Sequence, residues 1–298
     1  MKKGAVISNR IENIDFCIRY LLEQNKVEAG MPGTLREKQQ LLRALSNIWE
    51  PQPLSAEFLA AQDAELQMQL SEKEIVSLEE LDASANFQFS IPNSQLSISL
   101  WQGDITRLKV DAIVNAANSR GLGCWHPLHA CIDNAIHSAA GLQLRQECNN
   151  TLRGGQIATG DAIITPGYNL PAKYVIHTVG PIISLTPDPS PRGEGSGYPK
   201  AGGVFSLAST QEGGAGEAAL ADCYRNCLRL AEEKGCRSIA FCCISTGEFR
   251  YPNRRAAEIA VETVTNALTQ SHNPTFKVVF NVFKDIDRDI YRQLLGKD

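Results

Sequence analysis

From about Leu96 onward the chain alternates short apolar runs with stretches of helical spacing. That alternation narrows the accessible folds more than any other feature. The apolar runs cover residues 112–114, 162–164, 174–179, 238–244 and 276–282, and helical patterns fill 132–140, 218–233, 254–268 and 286–295. A strand that is apolar on both faces must be covered on both faces. Strand-helix-strand order provides that cover by building a mostly parallel sheet sandwiched between helices. Leu96, Ile98 and Leu100 alternate with serines and predict a half-buried strand at the start of this region. In such α/β folds ligands sit at the carboxyl ends of the strands, so the loops there are where chemistry is expected.

The first 92 residues read differently, as a helical extension. Ile11, Ile14, Ile18, Leu21 and Leu22 recur at helical spacing. Thr34 with Glu37, and Ser71 with Glu74, have capping-box spacing, and Pro51-Gln52-Pro53 breaks the helical pattern between them. The expectation is an appendage packed on the main domain, not an independent functional unit. Residues 184–216 fit neither pattern: eight Gly, four Pro and five Ser leave no periodicity and no apolar face to bury. This segment is expected to be a disordered surface insertion.

The charge balance is close to even, 29 Lys+Arg against 33 Asp+Glu over 298 residues, and no basic tract stands out. Nucleic acid is therefore not the expected partner. No run of about 18 apolar residues is present, nor a charged-then-apolar opening, so neither a membrane span nor a signal peptide is expected. The nine cysteines, an odd number, argue against a disulfide framework. Together these features predict a cytoplasmic chain.

Two of those cysteines sit in the most concentrated chemistry of the chain. Between Cys124 and Cys131, eight positions hold two Cys and two His, with Asp133 and Asn134 following. Thiolate and imidazole are the ligands zinc prefers; a Cys124-x4-His129-x-Cys131 set would leave a fourth position for water or substrate. The alternative is two buried small residues and a hydrogen-bonded histidine. His126 is the weaker member, because in a Cys-x-His pair of extended residues the side chains point to opposite sides. The other seven cysteines lie in apolar surroundings and read as packing; Cys223 and Cys227 are one helical turn apart and could chelate, but core packing fits them better.

Three further segments have ligand-binding character. Gly103-Asp104-Ile105-Thr106 follows a strand, where Asp104 could face a donor such as an adenine amine or simply close a turn. Asn115 and Asn118 sit at a strand end and suit sugar hydroxyls or turn capping. Ser245-Thr246-Gly247-Glu248-Phe249 joins a strand to a helix; its backbone N–H groups could cradle a diphosphate without any lysine, although Ser-Thr-Gly is also an ordinary turn. No Gly-x-Gly-x-x-Gly turn follows the first strand, which disfavours a dinucleotide-binding dehydrogenase.

Taken in order, Gly103-Asp-Ile-Thr106, Asp111-Ala-Ile-Val-Asn-Ala-Ala-Asn118, Asp133-Asn-Ala-Ile-His-Ser-Ala-Ala-Gly141, His177-Thr-Val-Gly-Pro181 and Ile244-Ser-Thr-Gly247 resemble a macrodomain. The Cys124…Cys131 cluster and the N-terminal extension are similar to the microbial zinc-containing class, whose members are protein-ADP-ribose hydrolases. The resemblance implies a three-layer α/β/α macrodomain over 93–298 with a mixed, mostly parallel sheet. It implies Zn2+ at Cys124, His129 and Cys131, and a catalytic role for Asp133 with Asn118 orienting the distal ribose. Asp104 and Ile105 would hold the adenine end, and Ser245, Thr246, Gly247, Glu248 and Phe249 would wrap the diphosphate and distal ribose. The implied activity is removal of mono-ADP-ribose from O-linked protein side chains, with a non-catalytic ADP-ribose reader carrying a structural zinc as the alternative. The implied partners are ADP-ribose and a modified protein, of lipoyl-carrier type in this class. Glu248 and Arg250 depart from the small or apolar residues common in macrodomain phosphate loops, and the 184–216 insertion is atypical.

Overall fold

The computed structural model describes residues 2–83, 88–90, 97–182, 211–270 and 275–296. Three helices open the chain: α1 (Lys2–Asn25), α2 (Leu35–Asn47) and α3 (Ala56–Ser71). Thr34 caps α2 through a reciprocal box, its hydroxyl accepting from the Glu37 N–H while the Glu37 carboxylate accepts from the Thr34 N–H. The box expected at Ser71 and Glu74 does not form. Ser71 instead bonds back to the Met68 carbonyl in the last turn of α3, and the reciprocal pair is Ser77 with Glu80. That pair follows β1 (Val76–Ser77) and opens α4 (Leu78–Ala83). Glu74 is engaged elsewhere, its carboxylate accepting from Arg107 Nη2 at 3.0 Å.

The extension has its own apolar centre, where Ile14, Cys17, Ile18, Leu21, Leu42, Leu45, Trp49 and Phe58 are buried together. It is also woven into the main domain. β1 runs parallel to β4 (Leu108–Lys109), and β2 (Gln88–Ser90) pairs antiparallel with β3 (Ser97–Gln102), so strands as well as helices occupy the first 92 residues.

The remaining elements are β5 (Ala112–Ala116), α5 (Ile132–Ala140), α6 (Leu142–Leu152), β6 (Ala162–Pro166), β7 (Tyr174–Thr178), α7 (Gln211–Glu233), β8 (Ser238–Phe241), α8 (Asn253–Gln270), β9 (Lys277–Val282) and α9 (Asp285–Leu294). The sheet order is β2-β3-β9-β8-β5-β7-β6. All neighbours from β3 to β7 are parallel, and the two edge pairs are antiparallel. Helices cover both faces, which gives the three-layer α/β/α arrangement expected of this alternation.

Three differences from the sequence reading follow from packing. β3 is not half-buried: Ser97, Ile98 and Ser99 are all inside, because β2 and β9 flank the strand and helices cover it. α6 is an 11-residue helix after Gly141 whose buried face is Leu142, Leu144, Arg145 and Cys148, an apolar spacing too sparse to show in sequence. α7 begins at Gln211, so residues 211–216 of the expected insertion are helical; residues 184–210 lie outside the described residues.

Candidate active site

The parallel strands all end on one side of the sheet, and their carboxyl-terminal loops line a cleft of about 770 Å³. β3 delivers Gly103, Asp104 and Ile105; β5 delivers Asn118; β8 delivers Cys243 and Ser245 to Phe249; β9 delivers Phe283. Cys124, His129, Cys131 and Asp133 line the same cleft. Of the site residues expected from the sequence, all but Asn115 therefore reach one cavity.

The metal-like residues lie in the long connection from β5 to α5. Cys131 occupies the N-cap of α5, and its sulfur accepts from the Asn134 N–H at 3.4 Å. A helix N-terminus favours negative charge, so this position suits a thiolate. One donor atom each from Cys124, His129 and Cys131 falls within 4.8 Å of the others. The Cys124 Sγ to His129 Nδ1 separation is 3.5 Å. Tetrahedral zinc with ordinary Zn–S and Zn–N bonds would hold those two atoms about 3.6 Å apart, so the donor set fits zinc in both chemistry and spacing. Burial first, then the neighbouring Cys124 and Asp133, pushes the Cys131 thiol up to about 12 against the lowering by the Asn134 N–H. His126 stands outside this set, with an exposed ring 5.9 Å from that of His129.

Asp133, one residue into α5, is buried, and both its oxygens are held. Asn115 Nδ2 donates to Oδ1 at 2.7 Å, and Asn118 Nδ2 donates to Oδ2 at 3.2 Å. Desolvation still dominates and raises the carboxyl to about 6 despite these donors and the charge of Arg145. Asn118 also donates to the Gly123 carbonyl and accepts from the Arg120 N–H, so it braces the loop that carries Cys124 and His129 as well as facing the cleft. Asn115 is not a sugar ligand: it is fully buried, and its amide nitrogen bridges Asp133 to His177 Nδ1 at 3.1 Å.

That bridge decides the His177 tautomer. Turning the Asn115 amide over would aim its oxygen at a carboxylate, so Nδ1 of His177 accepts and Nε2 carries the proton, 3.1 Å from Thr165 Oγ1. His137, Cys148 and His177 form a second, buried soft-ligand group, in which His177 Nε2, 3.6 Å from Cys148 Sγ, is the nitrogen that carries this proton.

The loop after β8 is shaped for an anion. Ser245 sits in the left-handed region at φ 66°, an uncommon conformation for a residue with a side chain, and the Thr246 N–H turns back to the Cys243 carbonyl at 3.4 Å. The N–H groups of Gly247, Glu248 and Phe249 donate to no backbone carbonyl among the described residues. The loop is closed from behind by Tyr251 N–H to the Ser245 carbonyl at 3.0 Å. Gly180, after β7, lies so close that a Cβ there would collide with Ser245 Oγ.

At the opposite end Asp104 both turns the chain and faces the cleft. Its Oδ1 accepts from the Thr106 N–H and hydroxyl, while Oδ2 lies 3.4 Å from Lys73 Nζ of the extension. Ile105 is buried beside it. Phe283, which the sequence reading did not single out, is 75% exposed at the end of β9 and lines this part of the cleft.

Two arginines are also absent from the sequence reading. Arg43 of α2 reaches across to the Cys124–Cys131 loop, donating to the His129 carbonyl at 3.4 Å and to Asn134 Oδ1 at 2.7 Å. Arg145 of α6 is 2% exposed; its Nη1 donates to the carbonyls of Ser46, Asn47 and Trp49, which closes the end of α2, and its guanidinium stacks 4.4 Å from the Trp125 ring centre. Neither lies in a motif; both depend on chain segments about 90 residues apart meeting in space.

A Macro domain family model matches residues 114–192 and 204–260. A protein-ADP-ribose hydrolase of Treponema medium is 44% identical over 285 residues, 94% of this chain and 97% of the relative. One from Staphylococcus aureus (strain MRSA252) is 44% identical over 270 residues, 90% of this chain and 88% of the relative. Among solved structures, a Trypanosoma brucei macrodomain in complex with ADP-ribose matches with a TM-score of 0.59 at 29% identity, covering 90% of this chain and 97% of that one. An Oceanobacillus iheyensis macrodomain with ADP matches with a TM-score of 0.55 at 34% identity, covering 70% and 94%.

Proposed function

The chain belongs to the macrodomain family, and from that premise we propose that it is a zinc-dependent hydrolase that frees ADP-ribose from O-linked protein side chains. The observation that carries this reading is the buried Asp133 carboxylate opening on the same cleft as Cys124, His129 and Cys131. Asp104 and Ile105 would receive the adenine end, and the N–H groups after Ser245 would take the diphosphate. A ligand held at those two places extends its distal ribose toward Asp133 and the metal loop.

Breaking the bond at the ribose anomeric carbon builds oxocarbenium character there. Water supplies hydroxide to that carbon, and its proton ends on the departing side-chain oxygen. Asp133 is suited to take that proton in passing: with its carboxyl near 6 it is ionised at neutral pH, yet more basic than an ordinary aspartate. Asn115 and Asn118 hold both carboxylate oxygens, which aims the group and limits its rotation. Bound zinc would act as a Lewis acid toward a ribose hydroxyl, the leaving oxygen or a water. Among modified proteins we infer a lipoyl-carrier type first, on the strength of the family resemblance.

The test is label release from mono-ADP-ribosylated proteins of several linkage types, a lipoyl carrier included, by metal-loaded and chelator-stripped protein. Release from an O-linked target that is lost on stripping and restored by zinc supports the reading. Equal release by stripped protein removes zinc from it, and no release from any O-linked target removes the substrate assignment.

A further inference from the structure

Glu248 is the residue of the diphosphate loop that fits its expected role least well, being a carboxylate placed beside an anionic group. Its position offers another role. Glu248 Oε1 lies 3.6 Å from Nε2 of His129, the ring nitrogen turned away from Cys124. The two nitrogens of one imidazole thus face a thiol on one side and a carboxylate on the other. A carboxylate that receives the distal N–H of a metal-bound histidine fixes the tautomer and the ring orientation, and makes the ligating nitrogen more basic.

We propose that Glu248 is a positioning residue for the metal site, steering His129 Nδ1 toward Cys124 and Cys131, and that it makes diphosphate occupancy and metal retention interdependent. The proposal rests on the zinc reading above. The 3.6 Å gap is slightly longer than a hydrogen bond. The Glu248 side chain is 73% exposed and free to rotate, so a small torsional change closes it. The backbone of His129 is already pinned from the other side by Arg43, which leaves ring rotation as the freedom that Glu248 removes.

The coupling follows from where Glu248 sits. It lies in the segment whose N–H groups are unpaired with backbone, so an anion bound there orders the segment and the carboxylate with it. Ordering Glu248 orders the His129 ring. By linkage, a diphosphate that strengthens metal binding must itself bind more strongly to the metal-loaded protein by the same factor.

The experiment measures zinc affinity by competition with a chromophoric chelator, and the visible spectrum of the cobalt-substituted protein, in wild type, Glu248→Gln and Glu248→Ala. Each is measured with and without ADP, which carries the diphosphate but lacks the distal ribose that could reach the metal directly. Glu248→Ala is expected to weaken zinc binding about tenfold, the lower end for loss of such a partner because the contact is exposed. Glu248→Gln, which still accepts the N–H, should recover part of that loss. ADP should tighten zinc binding in wild type by a few-fold and leave Glu248→Ala unchanged. Wild-type zinc affinity and cobalt spectrum in Glu248→Ala, or an equal ADP effect in both proteins, overturns the proposal. Wild type that binds neither metal, or binds it equally after Cys124→Ser, overturns the zinc reading itself and this proposal with it.

Discussion

Arg43 donates from Nη2 to Asn134 Oδ1 at 2.7 Å, joining the second helix of the extension to the helix that carries Asp133. Asn47, one turn further along α2, accepts from the Leu128 N–H and from Asn134 Nδ2. The extension therefore holds the back of the loop that carries Cys124, His129 and Cys131 as well as covering apolar surface. Arg43→Ala should destabilise the protein by about 1–2 kcal/mol, the usual scale for a partly buried hydrogen bond from a charged donor. It should also lower zinc affinity, because His129 loses the contact at its carbonyl. Thermal unfolding and chelator competition measure the two effects separately. Full zinc affinity in Arg43→Ala would reduce the extension to a cover.

Gly180 and Ser245 belong to loops from two different strands, and a Cβ on Gly180 would also meet Ile244 Cγ2 at 2.8 Å. Gly180→Ala must push the Ser245 turn away, at a cost of about 1–3 kcal/mol for overpacking. Because that turn would hold the diphosphate, ADP-ribose affinity measured by calorimetry should fall tenfold or more. Gly214, which has open space around its own Cβ position, provides the control: Gly214→Ala should bind normally.

Asp133→Asn tests the proton-transfer role. The substitution preserves size but loses the base, so the rate of ADP-ribose release should drop about 10²–10⁴-fold, the range for removing a general base. ADP-ribose binding should change much less, since Asp133 lies deeper than the adenine and diphosphate contacts. The amide will also face Asn115 and Asn118 with one donor where two acceptors stood, so some loss of stability should accompany it. Unchanged release from a protein that binds ADP-ribose normally would remove Asp133 from the chemistry.

Stability should fall on mild acidification. His177 is buried and its pKa is lowered from 6.5 to about 3 by desolvation, and His137 is lowered as well, by burial and then by His177 and Arg145. Below about pH 6.5 the unfolded chain takes up protons on both histidines while the folded chain does not, so stability is complete above that pH and is lost as pH falls. Each contributes about 1.4 kcal/mol per pH unit in this window. Asp133 acts in the opposite sense: raised to about 6, it gains a proton in the folded state before the unfolded chain does, and it recovers one of those two protons between about pH 6 and 4. The net slope near pH 5 should thus be about one proton, read from denaturant unfolding of chelated protein at several pH values. Asp133→Asn should steepen it toward two. A flat profile between pH 7 and 5 would contradict the buried neutral histidines.

Much of this protein was legible in the linear chain because its determinants are local. Apolar runs too continuous for a one-sided sheet required helices on both faces, and strands β5 to β9 and helices α5, α8 and α9 follow from that periodicity. Cys124, His129 and Cys131 fall within eight residues, so their meeting needs little help from the rest of the fold. Tertiary structure alone decided how that set is supported. Arg43 and Arg145 carry no motif; they matter because α2 docks against α5 and its end meets Arg145 of α6, which sets one half-buried and one buried guanidinium on specific amide and carbonyl partners. It also decided that Asn115 faces Asp133 and His177 instead of a sugar, since a strand-end amide can point either to the cleft or into the core, and only the packing of α5 on β5 selects the core. The charge that looked out of place in the diphosphate loop, Glu248, has a partner in His129, 119 positions earlier in the sequence, and only the folded chain brings the two within 3.6 Å.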